Sequence, residues 1–169
     1  MIKQLVLSFT LIAFSVNLFS QSTASANASA TIVAPIAISN IDDMNFGNVA
    51  VINAGTVILA PNSSRTATGG VTLPNVTGTV SAASFQVSGE GNYTYSITLP
   101  STDYIVTRVS GSETMAVNTF TSTPTVAAGG QLNDGTQVLN VGATLNVATG
   151  QVPGVYTGAS GFDVTVNYN

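Results

Sequence analysis

Ten charged side chains in 169 residues bound the chemistry open to this chain: seven acids and three bases, a net charge of −4. The acids are Asp42, Asp43, Glu90, Asp103, Glu113, Asp134 and Asp163, and the bases are Lys3, Arg65 and Arg108. Asp42 and Asp43 are adjacent, so on a strand they point to opposite faces and cannot flank one glycosidic bond. There is no His, no Cys and no Trp. Disulfides, thiol chemistry, Cys/His zinc sites and His-dependent triads are therefore excluded. A nucleophilic Ser would need a Lys or a carboxylate as its base, and Lys3 is the one lysine. Three cations are too few to neutralise a nucleic-acid backbone.

Weaker motifs read more simply as structure. Calcium is the metal that carboxylate and carbonyl oxygens suit, and Asn133-Asp134-Gly135-Thr136 or Asp42-Asp43 could supply ligands. No EF-hand spacing occurs, and Asn-Asp-Gly is first a turn. Gly69-Gly70 is followed by neither a Lys nor a helix, so it reads as a turn or bulge rather than a phosphate cradle. Asn62, Asn75 and Asn92 each open an Asn-x-Ser/Thr triplet, as expected in so Asn- and Thr-rich a chain. Tyr93, Tyr95 and Tyr168 sit in alternating runs that favour cross-strand packing over a sugar-binding face. The expectation is a non-enzymatic protein with no catalytic, cofactor or metal site.

The elements that carry these residues are strands. Thr (23) and Val (21) together exceed a quarter of the sequence, and β-branched side chains at that density favour strands over helices. Apolar residues reach 44%, which separates the chain from disordered low-complexity sequence. Lys3 followed by the mostly apolar run Leu5–Phe19 is short for a membrane span, which needs roughly 20 residues. It fits a signal peptide, residues 1–20, with cleavage after Ser20 or near Ala24-Ser25-Ala26. The mature chain would then be secreted, with no membrane span, and would keep Arg65 and Arg108 as its cations. Without Cys its stability must come from the core, which in a domain of about 150 residues hides roughly 68–70% of the unfolded surface.

Short β-like runs follow at Asn45–Ile52, Gly55–Leu59, Arg65–Leu73, Ala82–Ser88, Tyr93–Leu99, Tyr104–Ser110 and Thr114–Thr121. Gln137–Val141, Thr144–Val147 and Gly161–Tyr168 complete the series, with Pro-, Gly- and Asn-rich turns between. Alternation on both sides of Gly89–Asn92 predicts a hairpin. The pattern indicates an all-β, immunoglobulin-like β-sandwich spanning residues 40–169. In the last strand Phe162, Val164, Val166 and Tyr168 share one face. Residues 21–39 form an N-terminal extension in which Ala24, Ala26, Ala28, Ala30 and Ile32 alternate with polar residues, and Ile36 and Ile38 resume that register after Pro35. One reading makes this an ordinary first strand; the other makes it a donor strand that completes a neighbouring subunit's sheet by β-strand addition.

Several segments carry a resemblance. Ala30–Ile36, Asp43–Gly47, Thr68–Val71, Ala83–Gly89, Tyr93–Pro100, Leu139–Leu145, Pro153–Gly158 and Val164–Asn169 resemble, in order, a secreted bacterial family catalogued as domain of unknown function 4402. An extra stretch at Gly161 departs from its pattern. The family is similar in pattern to spore coat protein U and to pilin-like fimbrial subunits, although many of those carry a disulfide that this chain lacks. The resemblance implies an immunoglobulin-like sandwich open to completion by donor-strand exchange. It also implies a homo-oligomer at the cell surface, with a periplasmic chaperone and outer-membrane assembly machinery as partners. Two functions follow: an exported structural subunit of a fimbria-like or matrix assembly, with Ala24–Ile38 as donor, or a self-contained secreted module binding surface polysaccharide or matrix, with Tyr104 and Tyr156 as its contacts.

Overall fold

The computed structural model describes residues 21–169; the expected signal peptide lies outside them. The chain divides into two units, Met1–Ile32 and Val33–Asn169. In the first, residues 21–32 form no strand and are exposed. In the second the β-branched composition is expressed as eleven strands, with no helix among the described residues.

An eight-stranded antiparallel sheet curls around the core in the order β1 (Ala37–Asp42), β4 (Ala83–Ser88), β9 (Thr136–Val147), β7 (Thr114–Thr123), β6 (Tyr104–Arg108), β10 (Tyr156–Gly158). Off that path, β2 (Ala50–Leu59) pairs with β9, and β3 (Arg65–Thr72) pairs with β2. A second, three-stranded sheet runs β11 (Thr165–Tyr168), β5 (Thr94–Thr98), β8 (Gly130–Gln131).

Strand β9 organises both halves. Its first residues pair with β4 from Ala83↔Val141 to Ser88↔Thr136, and its later ones with β2 from Gly55↔Val147 to Leu59↔Ala143. The partner changes at Gly142. A Cβ there would meet the Leu59 carbonyl and lie 2.8 Å from the Ala60 carbonyl carbon. Only a hydrogen fits where the two partner strands converge on β9. Period-two alternation turns Leu139, Val141, Ala143, Leu145 and Val147 inward along the whole strand. Leu139 and Val141 enter a core with Phe85, Val87, Tyr95, Ile97, Leu132 and Val166, built from both sheets. Ala143, Leu145 and Val147 enter a second core with Val57, Val71 and Val117, built from the eight-stranded sheet alone. Each fully buried Val or Leu is worth about 1.5–3 kcal/mol.

Three expectations are corrected. The runs on either side of Gly89–Asn92 form no hairpin, because β4 pairs with β1 and β9 whereas β5 pairs with β11 and β8. The connection instead carries the chain from one sheet to the other. Phe85 and Val87 then meet Tyr95 and Ile97 across the core, which satisfies the same alternation. Asn45–Ile52 and Gly55–Leu59 are not separate strands: β2 runs unbroken from Ala50, with its register to β3 slipping between Val51 and Gly55. Gln137–Val141 and Thr144–Val147 likewise fuse into β9, since Gly142 serves close packing and not a turn. Asn133-Asp134-Gly135 is a turn as read, with Asp134 at φ 51° and Gly135 at φ 81°.

Tyr95 is fully buried and its hydroxyl donates to Gln137 Oε1 at 2.8 Å, an oxygen that also accepts the Gln131 N–H. Burial raises the Tyr95 pKa above its ordinary value.

Two outcomes follow. Gly142→Ala should lower stability by about 1–3 kcal/mol through overpacking, read as a drop in the urea midpoint; an unchanged midpoint would show that the strands part there freely. For Tyr95, a raised native pKa means that its contribution is complete below the unfolded value of about 10 and is lost as pH rises through the native one. Tyr95→Phe should therefore cost about 0.5–1.5 kcal/mol at neutral pH and shallow the alkaline fall in stability. Identical alkaline slopes for the two proteins would refute the assignment.

Candidate functional site

A groove of about 980 Å³ lies in the second unit. It arises because the three-stranded sheet contributes residues to the first core but none to the buried set of the second. Its floor is the inward face of the curled sheet: Val106 on β6, Met115 and Val117 on β7, Leu145 and Val147 on β9. One rim is the segment Met44–Val51, and the other is formed by Tyr104, Phe162 and the stretch 151–161.

Each rim is held by side chains that reach backbone. Arg65 Nη1 donates to the carbonyls of Phe46 and, at 3.2 Å, Asn48. The Asn48 amide donates to the Val76 carbonyl at 3.0 Å, and Ser81 Oγ to that of Asp43 at 2.7 Å. These contacts fix Met44–Val49, whose ladder pairing is limited to the bridge Asn45↔Ser81 before β2 begins at Ala50. On the opposite rim the Tyr104 hydroxyl donates to the Ser160 carbonyl and the Tyr156 hydroxyl to that of Val152. Phe162 stacks edge-on to Tyr104 at 5.7 Å and to Phe85 at 6.3 Å, and tilts over Phe120 at 5.0 Å. It closes one end of the groove with aromatic surface.

Charge is sparse here. Arg108 Nε donates to Glu113 Oε2 at 2.7 Å. That hydrogen bond holds the Glu113 carboxyl below the usual carboxylate range and raises the guanidinium of Arg108. Asp42 accepts from Ser84 Oγ and Asp103 from the Asn118 amide. Among the described residues no group of three or more Asp, Glu, His or Cys stands close enough to hold a metal. No helix among them is long and apolar enough to cross a membrane.

The sequence-derived residues separate into two sets. Ala24, Ala26, Ala28 and Ala30 are exposed and unpaired, and Ile32 is 97% exposed. Ile36 and Ile38 are elsewhere: both pack against the first core, and Ile38 pairs with Val87 as part of β1. The expected continuous strand Ala24–Ile38 is thus broken. Strand β1 starts only at Ala37, after Pro35, which lacks the N–H a ladder needs. At the other terminus Phe162, Val164, Val166 and Tyr168 do share the inward face against the first core. Ladder pairing there begins only at Thr165, and β11 hydrogen-bonds to β5 from the sheet's edge. The rim residues Arg65, Asn48 and Phe46 were not singled out from sequence; an arginine in a chain nearly free of cations was the available signal.

No curated protein and no solved structure matches the chain. Residues 36–168, the part that contains every strand among the described residues, match the model of the family described as Domain of unknown function (DUF4402), and the chain belongs to that family.

Proposed function

We propose that this chain is an exported structural subunit of a fimbria-like or matrix assembly at the cell surface. It polymerises by β-strand addition, residues 24–32 of one copy entering the open groove of the next. The observation that carries the reading is a pair of complementary defects. Residues 21–32 alternate without a partner, and the second unit has a groove whose floor is apolar, with Val106 and Met115 half-buried above the buried Val117, Leu145 and Val147. An immunoglobulin-like sandwich short of one strand would be completed by such an insertion. Export through the signal peptide 1–20, with a periplasmic chaperone to shield the groove and outer-membrane machinery to order the subunits, belongs to the same reading.

The energetics differ from a donor with three isoleucine anchors. Ile36 and Ile38 are already used at home, so Ile32 alone supplies a large apolar side chain, worth about 1.5–3 kcal/mol. The four alanines add little area, but they let the backbone sit close to the floor. Most of the affinity then comes from the main-chain ladder, whose hydrogen bonds each contribute about 0.5–1.5 kcal/mol net. Nine residues at about 3.3 Å each give a strand of about 30 Å.

A second reading has one observation in its favour: Tyr104 and Tyr156 both line the groove. A self-contained module could present them to a surface polysaccharide or to matrix. Both hydroxyls are already engaged by backbone carbonyls, which leaves their rings for stacking.

The two readings part on a denaturing gel of surface-purified protein, loaded boiled and unboiled. Strand insertion should give a ladder in the unboiled lane that collapses to one band on boiling, because an inserted strand unfolds slowly. Ile32→Asp places a carboxylate on the apolar floor and should abolish the ladder while leaving secretion intact. A wild-type monomer in both lanes, or an undiminished ladder from the mutant, would overturn the subunit reading. The first result, with saturable glycan binding lost on Tyr104→Ala or Tyr156→Ala, would establish the second.

A further inference from the structure

Two segments distant in sequence, around Glu90 and Tyr168, converge on Ala34, just inside the second unit. Its N–H donates to Glu90 Oε2 at 3.0 Å, and its carbonyl accepts from the Tyr168 hydroxyl at 2.9 Å. The same Tyr168 oxygen accepts the Glu90 N–H at 2.6 Å. The three bonds close a ring, so both backbone polar groups of Ala34 are spent on side chains from other parts of the fold. Pro35 follows and contributes no N–H, and Ala37 is the first residue of β1.

The ring is built, as its surroundings show. The Tyr168 side chain packs edge-on to Tyr93 at 5.6 Å and against the first core, so packing fixes where its hydroxyl lies. At position 89 a Cβ would collide with that hydroxyl and come within 3.0 Å of Leu132 Cδ1. Glycine is required there for the oxygen to reach Ala34. A phenylalanine would fill the same apolar space, so core packing alone leaves the hydroxyl without a purpose.

Load supplies one. A subunit held through residues 24–32 receives any pull on the polymer at Val33–Ala34. Behind that point lies β1, an edge strand that pairs with β4 alone. Tension on the end of an edge strand breaks its ladder one bond at a time, which is the weakest way to load a sheet. The ring offers another route: Glu90 follows β4 of the large sheet, and Tyr168 belongs to β11 of the small one. We propose that Glu90 and Tyr168 form a mechanical anchor that passes tension on the N-terminal extension to both sheets before β1 can peel. This role rests on the extension being the donated segment, whereas the anchor itself can be measured in a single subunit.

The chain has no cysteine, so Ser25→Cys and Ser112→Cys give unique handles for single-molecule pulling, in an Ile32→Asp background that keeps the subunit alone. Glu90→Ala and Tyr168→Phe should each raise the rate of the first rupture at fixed load about tenfold, the effect of losing one or two hydrogen bonds. Glu90→Gln retains a side-chain oxygen and should rupture like the parent. Hydrogen exchange in a peptide spanning residues 33–42 should quicken in Glu90→Ala and stay slow in Glu90→Gln, with all three urea midpoints close together. Unchanged rupture rates in Glu90→Ala and Tyr168→Phe would overturn the anchor. So would equal weakening by Glu90→Gln, because it would show that the accepting oxygen is not what bears the load. Failure of the wild-type gel ladder would sink the assembly reading and leave the pulling result standing.

Discussion

Everything in the second unit hangs on one strand having more partners than an ordinary strand takes. Twelve residues of β9 hydrogen-bond to β4 and then β2 along one edge, and to β7 along the other. Its inward side chains join two cores that would otherwise be separate clusters. That arrangement needs a strand long enough to be shared, and it needs a residue without a side chain where β4 gives way to β2. Gly142 meets the second condition. The three-stranded sheet contributes to the first core and not to the second, and the groove lies against the second.

Each rim of the groove is held by polar contacts that do not depend on filling it. Arg65 reaches across to the carbonyls of Phe46 and Asn48, while Tyr104 and Tyr156 tie down the opposite stretch. Each such hydrogen bond contributes about 0.5–1.5 kcal/mol net, so collapse of either rim onto the floor would have to replace them. Among the described residues no buried side-chain nitrogen or oxygen lacks a partner. The buried side chains of the rims are therefore satisfied as they stand, and a segment entering between them would owe its ladder to main-chain groups.

Alternation made most of this legible in the sequence. It reports which side chains face inward, and Phe85, Val87, Tyr95, Ile97 and Val166 are buried as their spacing requires. What it omits is the identity of the partner. Phe85 and Val87 would be buried equally well beside Tyr95 and Ile97 in a hairpin or opposite them across a core, so the Gly89–Asn92 turn was misassigned. The same ambiguity hid β9, because a glycine that permits close approach looks in one dimension like a glycine that ends a strand. The ends of the chain were half legible. Phe162 to Tyr168 share the face their spacing gives them, but Ile36 and Ile38 shared a register with Ile32 across Pro35 without sharing its surroundings.

That last distinction narrows how an assembly could be built from this fold. With Ile36 and Ile38 packed in their own domain, the boundary between what a subunit keeps and what it offers falls at Ile32–Val33, where the chain also divides into its two units. Residues 21–31 are small or polar, so Ile32 is the one large apolar side chain of the described extension, which keeps a free subunit from exposing a long apolar edge of the kind that aggregates. Under the proposed function, the affinity lost by moving two isoleucines inward is offset by a firmer attachment, since Ile36 packs half-buried against the core two residues after Ala34 and both polar groups of Ala34 are tied by Glu90 and Tyr168. Under the proposed function, specificity then resides in one isoleucine and a ladder, and strength resides in how the ladder is fastened to the domain that donates it.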